Sequence, residues 1–124
     1  YLVWHAFNDM VGGEIYVKKI PSMNIIDIAK AIAPKAKYKF IGIRPGEKLH
    51  EQMISTDEAH LTYEFKEYYK IVSTEKNLLI KKKKNKNRLG KKVDKNFMYA
   101  SNTNKIWMKR EELQKWIFNN YKEF

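Results

Sequence analysis

The spacing of apolar residues changes several times along this chain, and each change marks an expected element. Leu2, Val3, Ala6, Phe7 and Met10 recur at helical spacing, predicting a helix over residues 1 to 11 that Gly12-Gly13 closes as a C-cap would. A strand from Glu14 to Lys18 follows. Pro21-Ser22 punctuates the chain, with Ser22 a suitable N-cap. Ile25, Ala29 and Ile32, at i, i+4 and i+7, then predict a buried helix face ending before Pro34. A second strand is expected from about Lys37 to Ile43, delivering the turn that follows at its C-terminal end, where ligands sit in open α/β sheets.

Beyond residue 50 the pattern is less regular. Thr56 to Lys66 has helical potential, with Leu61 and Phe65 one turn apart, while Tyr68 to Val72 is β-prone with poor alternation. Phe97-Met98-Tyr99 reads as a short strand, and Ser101-Asn102-Thr103-Asn104 is turn chemistry. A final helix from about Lys109 carries the apolar stripe Leu113, Trp116, Ile117 and Tyr121. Trp4, Trp107 and Trp116, with Phe7 and Phe118, are expected as core and interface aromatics.

Charge changes this picture at one place. Between residues 76 and 95 stand ten basic side chains and one acid, so +9 of the net +11 belongs to that stretch and only +2 to the rest. The basicity therefore describes a solvated low-complexity insert rather than a folded face. Lysine runs attract polyanions nonspecifically, but this one has no interleaved aromatic to stack on bases, and specific nucleic-acid binding is not expected. The absence of cysteine excludes a disulfide scaffold and Cys-ligated metal sites. No apolar run approaches the ~20 residues that span a bilayer, so a membrane partner is not expected and a cytoplasmic location is. His50-Glu51 begins like a zinc-protease helix, but Ile54 stands where the second histidine belongs, and no metal site is expected. His5 and His60 are isolated and expected on helix surfaces or in packing.

The strongest chemical signal is Arg44-Pro45-Gly46-Glu47. Proline suits the second position of a tight turn, and glycine accepts the positive φ that a type II turn needs at the third. The corners of such a turn lie within about 7 Å. That places a guanidinium able to fork onto phosphate oxygens beside a carboxylate able to accept from vicinal hydroxyls. A nucleoside diphosphate offers both groups side by side, so Arg44 and Glu47 are the candidate substrate-binding residues.

With its flanks, Gly42 to Glu51, this turn joins an ordered series: Gly12-Gly13-Glu14-Ile15-Tyr16-Val17, Lys19-Ile20-Pro21-Ser22-Met23, Ile54-Ser55-Thr56-Asp57-Glu58-Ala59, Tyr68-Tyr69-Lys70-Ile71, Tyr99-Ala100-Ser101-Asn102-Thr103-Asn104 and Glu111-Glu112-Leu113. The series resembles the C-terminal third of the inverting UDP-N-acetylglucosamine 4,6-dehydratases, members of the extended short-chain dehydrogenase/reductase superfamily. The resemblance implies an α/β fold forming the substrate-side part of a Rossmann-type enzyme, incomplete without its N-terminal cofactor domain. It also implies NADP or NAD bound by that missing domain, a UDP-sugar substrate, and a homo-oligomer as the full enzyme. The family's catalytic tyrosine and lysine lie upstream, so no catalytic residue is assigned here and the chain alone is expected to be inactive. No Gly-x-Gly-x-x-Gly is present, and no tyrosine is followed four positions later by lysine.

Three positions depart from the family pattern: Asn102 where relatives carry aspartate, Lys109 where they carry serine or threonine at the helix start, and Lys18 where they carry proline. The expected organisation is a substrate-binding part over 1–75, the basic insert over 76–96, and a terminal turn and helix over 97–124. A related nucleotide-sugar epimerase fragment and a standalone basic polyanion-binding module are the alternatives.

Overall fold

The computed structural model describes residues 1–74 and 90–121. It is a mixed α/β structure divided into two compact units. The first unit comprises Tyr1–Lys19 and Gln52–Tyr99; the second comprises Ile20–Glu51 and Ala100–Phe124.

In the first unit, helix α1 (Leu2–Asp9) leads into strand β1 (Ile15–Lys18). The chain returns as β2 (Gln52–Ile54), a 3-10 turn (Ala59–Leu61), β3 (Thr62–Glu64), β4 (Tyr68–Ile71) and β5 (Lys91–Lys92). Four of these strands form a sheet in the order β1-β4-β3-β5. Its ladders are antiparallel, with Val17 opposite Tyr69, Thr62 opposite Ile71, and Tyr63 opposite Lys92. Strand β2 pairs with β6 (Tyr99–Ala100) in a separate two-stranded sheet.

The poor alternation of Tyr68 to Val72 has a physical explanation in this sheet. Strand β4 is an inner strand, and Tyr69, Lys70, Ile71 and Val72 are all buried. Side chains alternate across a strand, so both faces of β4 are covered and neither can be polar at low cost. Tyr69 and Ile71 join the core with Val17, Ile54 and Tyr99, and Leu61, Val93 and Phe97 pack at its margin. Lys70 instead meets α1: its Nζ lies 2.5 Å from Asp9 Oδ2 and 5.2 Å from the centre of the Tyr16 ring. Tyr16 OH donates to the same Asp9 oxygen at 2.7 Å. Tyr68 packs beside Tyr16 and hydrogen-bonds His5 Nε2 at 2.7 Å. A buried ammonium is thus matched by one carboxylate, the arrangement a charge needs away from water.

In the second unit, helix α2 (Ile25–Ile32) packs against helix α3 (Arg110–Asn120). Ser22 forms a parallel bridge with Trp107. Its N–H donates to Ile106 O at 2.8 Å, and its carbonyl accepts from Met108 N at 2.9 Å.

Several expectations are corrected. Helix α1 ends at Asp9 with Met10 as its C-cap, and the positive-φ pair Gly12-Gly13 lies in the connection to β1. There the Glu14 carboxylate accepts from Val11 N and Gly12 N, closing the turn without a glycine cap. Asn24, not Ser22, caps α2, with Oδ1 accepting from Ile26 N, because the Ser22 backbone is already committed to the bridge with Trp107. Ala31 is the buried residue of α2, while Ile25 and Ile32, at the two ends of the helix, are exposed.

The strand expected over 37–43 is absent, since among the described residues its backbone finds no ladder partner. The helix expected over 56–66 gives way to the 3-10 turn and β3. Glu58 caps Ser55 through both its N–H and its hydroxyl, and the chain from Thr62 pairs with β4 instead. Trp4, Phe7, Trp107, Trp116 and Phe118 are exposed rather than in the core, which is built from tyrosines and aliphatics of the strands. Helix α3 does start after Lys109. That residue's side chain cannot accept, but Glu112 reaches back to Lys109 N at 2.7 Å, keeping half of a capping box.

Residues 76–89 of the basic stretch lie outside the described residues, whereas Lys91 and Lys92 form β5. Gly90, at φ 33°, precedes them; a Cβ there would stand 2.4 Å from Glu64 O, so only glycine fits.

The Asp9–Lys70 pair generates a stability prediction. Removing one partner of a buried pair strands the other charge, so Asp9→Ala should destabilise by about 3 kcal/mol in urea unfolding. Asp9→Ala with Lys70→Met should recover part of that loss, because the orphaned ammonium is gone. Burial alone would raise the Asp9 carboxyl, but hydrogen bonds from Lys70 and Tyr16 outweigh it and hold the group below its ordinary value. A folded-state value below the unfolded one means stability present above the unfolded pKa and lost as pH falls through the folded one. The urea midpoint should therefore drop below about pH 4, and Asp9→Asn should flatten that acid limb.

Candidate functional site

The Arg44–Glu47 turn forms in the second unit as its residue types require. Glu47 N donates to Arg44 O at 3.0 Å, closing the turn. Gly46 takes φ 87°, and Gly42, just upstream, takes φ 81°. A Cβ at either glycine would meet nothing within 4 Å, so the demand at both is for positive φ rather than for space.

The structure brings the two candidate side chains together at the surface. Arg44 Nε lies 4.0 Å from Glu47 Oε1, with both side chains largely exposed. Glu47 Oε2 accepts from Arg44 N at 2.9 Å, so the glutamate also fastens the turn that presents the arginine. Its nearer oxygen serves the backbone, and the other faces the guanidinium at a distance long enough to leave both groups capacity for a ligand. A guanidinium keeps its full charge at any physiological pH. The turn thus offers a planar cationic fork with an acceptor alongside. It lies in an exposed segment rather than at the end of a strand.

The roots of that segment lie together. Asn104 Nδ2 donates to Ile20 O at 2.7 Å and to Ser22 Oγ at 3.1 Å, where the segment leaves. Ser101 N donates to Glu51 O at 2.8 Å, and Glu51 N donates to Ser101 Oγ at 3.1 Å, where it returns. Asn104 is itself held through Oδ1, which accepts from Ile106 N, and through its carbonyl, which accepts from Trp107 Nε1. Reading Ser101 to Asn104 as turn chemistry missed these partners. They stand 50 to 84 residues away in sequence, and nothing local announces them.

The other polar cluster, Asp9, Tyr16, Lys70, Tyr68 and His5, satisfies its own members in the first unit. Burial, followed by the hydrogen bond to Asp9, pushes the Tyr16 phenol up, which keeps it a donor. Among the described residues no group of three His, Cys, Asp or Glu side chains could hold a metal ion, and no helix is long and apolar enough to cross a membrane. Gly12-Gly13 sits between a helix and a strand, the reverse of the strand–glycine–helix order that cradles a dinucleotide. That pair therefore does not form a dinucleotide cradle.

Comparison with known proteins places this geometry in a family. A family model described as "Polysaccharide biosynthesis protein" matches residues 1–73. The inverting UDP-N-acetylglucosamine 4,6-dehydratase of Campylobacter jejuni subsp. jejuni serotype O:2 is 48% identical over 113 residues, covering 86% of this chain and 33% of that protein. A UDP-glucose 4-epimerase of Rickettsia bellii is 38% identical over 74 residues, covering 56% of this chain and 22% of the epimerase. The X-ray structure of Pen from Bacillus thuringiensis shares the fold, with a TM-score of 0.73 at 24% identity over 97% of this chain and 34% of that one. The chain spans about a third of the length of the curated relatives first matched. With a family model matched over more than half its residues and an inverting dehydratase so similar across most of the remainder, the chain belongs to the polysaccharide biosynthesis protein family.

Proposed function

We propose that this chain is the substrate-side portion of a nucleotide-sugar 4,6-dehydratase acting on UDP-N-acetylglucosamine in surface-glycan biosynthesis, and that Arg44 and Glu47 hold the UDP moiety. The observation that carries this reading is the 48% identity to an inverting dehydratase over 86% of the chain. That coverage leaves too few residues outside the match for the central Arg44–Glu47 turn to lie beyond it. The closed turn, with its guanidinium and carboxylate adjacent, supports the assignment of roles: Arg44 on the pyrophosphate and Glu47 on the ribose hydroxyls. A carboxylate beside phosphates is repelled unless it faces the sugar.

The larger enzyme is then a cytoplasmic lyase and homo-oligomer of the extended short-chain dehydrogenase/reductase type. NADP or NAD is held by residues outside those described, and supplies oxidation and re-reduction of the sugar when bound. The task of the present residues is binding and orientation. Affinity gained at the diphosphate, remote from the reacting carbons, positions the hexose for chemistry carried by other groups. The Rickettsia epimerases support a second reading, an epimerase portion, over a shorter stretch and at lower identity.

Calorimetric titration of UDP and UMP into the full-length gene product tests the assignment. Arg44→Ala should weaken UDP binding about tenfold or more, the cost of losing a charge-assisted bidentate contact. Arg44→Lys should recover only part, since an ammonium lacks the planar fork. Glu47→Gln should be milder, because its amide oxygen still accepts from Arg44 N and from one hydroxyl. Unchanged binding of both nucleotides by Arg44→Ala would remove the assignment. The 124-residue chain alone should not convert UDP-N-acetylglucosamine to a 4-keto-6-deoxy sugar in an NMR assay, and turnover by the pure chain would contradict the division of labour.

The lysine-rich stretch supplies a separate expectation. Deletion of residues 78–89, which spares β5, should leave UDP affinity within about twofold; a large loss would put the basic run in the site and favour polyanion binding.

A further inference from the structure

We infer that Ser101 and Asn104 are positioning residues for the Arg44–Glu47 turn, acting by pinning the two roots of the segment that carries it. The inference rests on the proposed UDP-binding role of that turn. Residues 32–53 are all exposed. Among the described residues, the hydrogen bonds between Pro34 and His50 are local to the segment: Ala36 N to Ala33 O, Tyr38 OH to Ala33 O, and the two that close the Arg44–Glu47 turn. No buried side chain between Ile32 and Met53 fixes it from within. Its placement is therefore inherited from helix α2 and from its roots.

Both roots sit on one short turn. Asn104 grips Ile20 O and Ser22 Oγ on the outgoing side, and Ser101 grips Glu51 through a reciprocal pair of bonds on the returning side. The two gripping residues are three apart, so the separation of the roots is set by a single turn of backbone. Thr103 stiffens that turn: its Oγ1 accepts from Ala100 N and donates to Ala100 O, both at 3.3 Å. Asparagine suits position 104 because its amide donates to both outgoing groups while its oxygen accepts from Ile106 N. Aspartate there would keep the acceptor, lose the donor, and set a carboxylate against the Ile20 carbonyl.

A residue that positions a binding turn changes substrate affinity and leaves turnover of bound substrate nearly intact. The test compares Asn104→Asp, Ser101→Ala and Ser101→Thr with Arg44→Ala in the full-length gene product, measuring KM and kcat with UDP-N-acetylglucosamine and calorimetric Kd for UDP. Loss of a root bond should raise KM and Kd about five- to tenfold with kcat within about twofold. Ser101→Thr, which keeps the acceptor for Glu51 N, should return both to within about twofold of the unaltered protein. The smaller change, Ser101→Ala, carries the test should Asn104→Asp fail to fold.

If Ser101→Ala and Asn104→Asp bind UDP normally while Arg44→Ala does not, the pinning role is overturned and the binding turn stands. If Arg44→Ala is silent as well, the underlying reading falls and takes this inference with it. A lowered melting temperature with unchanged KM also overturns it, since that is what a merely structural contact would produce.

Discussion

Lys70 is the point on which the first unit turns. An ammonium on an inner strand, buried against helix α1, is tolerable only because Asp9 lies 2.5 Å away and Tyr16 closes the other side. A solitary charge in that position would cost several kcal/mol, so the pair dictates more than its own geometry. It selects the register that sets Lys70 opposite Tyr16, and it sets α1 over one face of the sheet with its last residue, Asp9, above β4. Apolar packing on the opposite face, from Val17, Tyr69 and Ile71, supports the same register, since a slip by one residue exchanges the two faces of the strand. A one-residue slip would turn Lys70 into that apolar core, and no partner waits there.

The second unit is organised differently. Its buried side chains are small, Ser22 and Ala31 among them, and most of its apolar surface is exposed. Directional bonds carry the burden that packing carries in the first unit: the backbone bridge at Ser22, the Asn104 amide, the reciprocal Ser101–Glu51 pair. Bonds of this kind contribute about 1 kcal/mol each. They fix geometry more than they add stability. That suits a surface turn whose charged side chains are exposed and cannot be held by packing.

The parts legible in the sequence were those governed by local chemistry. Arg44-Pro45-Gly46-Glu47 specified its own turn, and helices α1, α2 and α3 followed from spacing to within a few residues. Tyr68 to Val72 was β-prone by residue type, but its missing alternation became intelligible only once both faces were seen to be covered. What failed was decided at a distance. Lys37 to Ile43 has strand character without a strand to pair with, and Thr56 to Lys66 lost its helix to pairing with β4. Ser22 looked like a helix cap because nothing nearby reveals the bridge to Trp107. The candidate site was readable as residue types and turn geometry, whereas the support beneath it, Ser101 and Asn104, was not.

The common footing of the Ser22–Glu51 excursion bears on how such a chain diversifies. When both ends of a long segment are tied to one short turn, its interior can change in length at a cost that grows only logarithmically with the number of residues. Substitutions between the roots are likewise insulated from the sheet, whose core contains none of them. Pro34 to His50, the part of the excursion beyond helix α2 and without a buried side chain, can therefore change in length and sequence while the residues that tie its roots stay as they are.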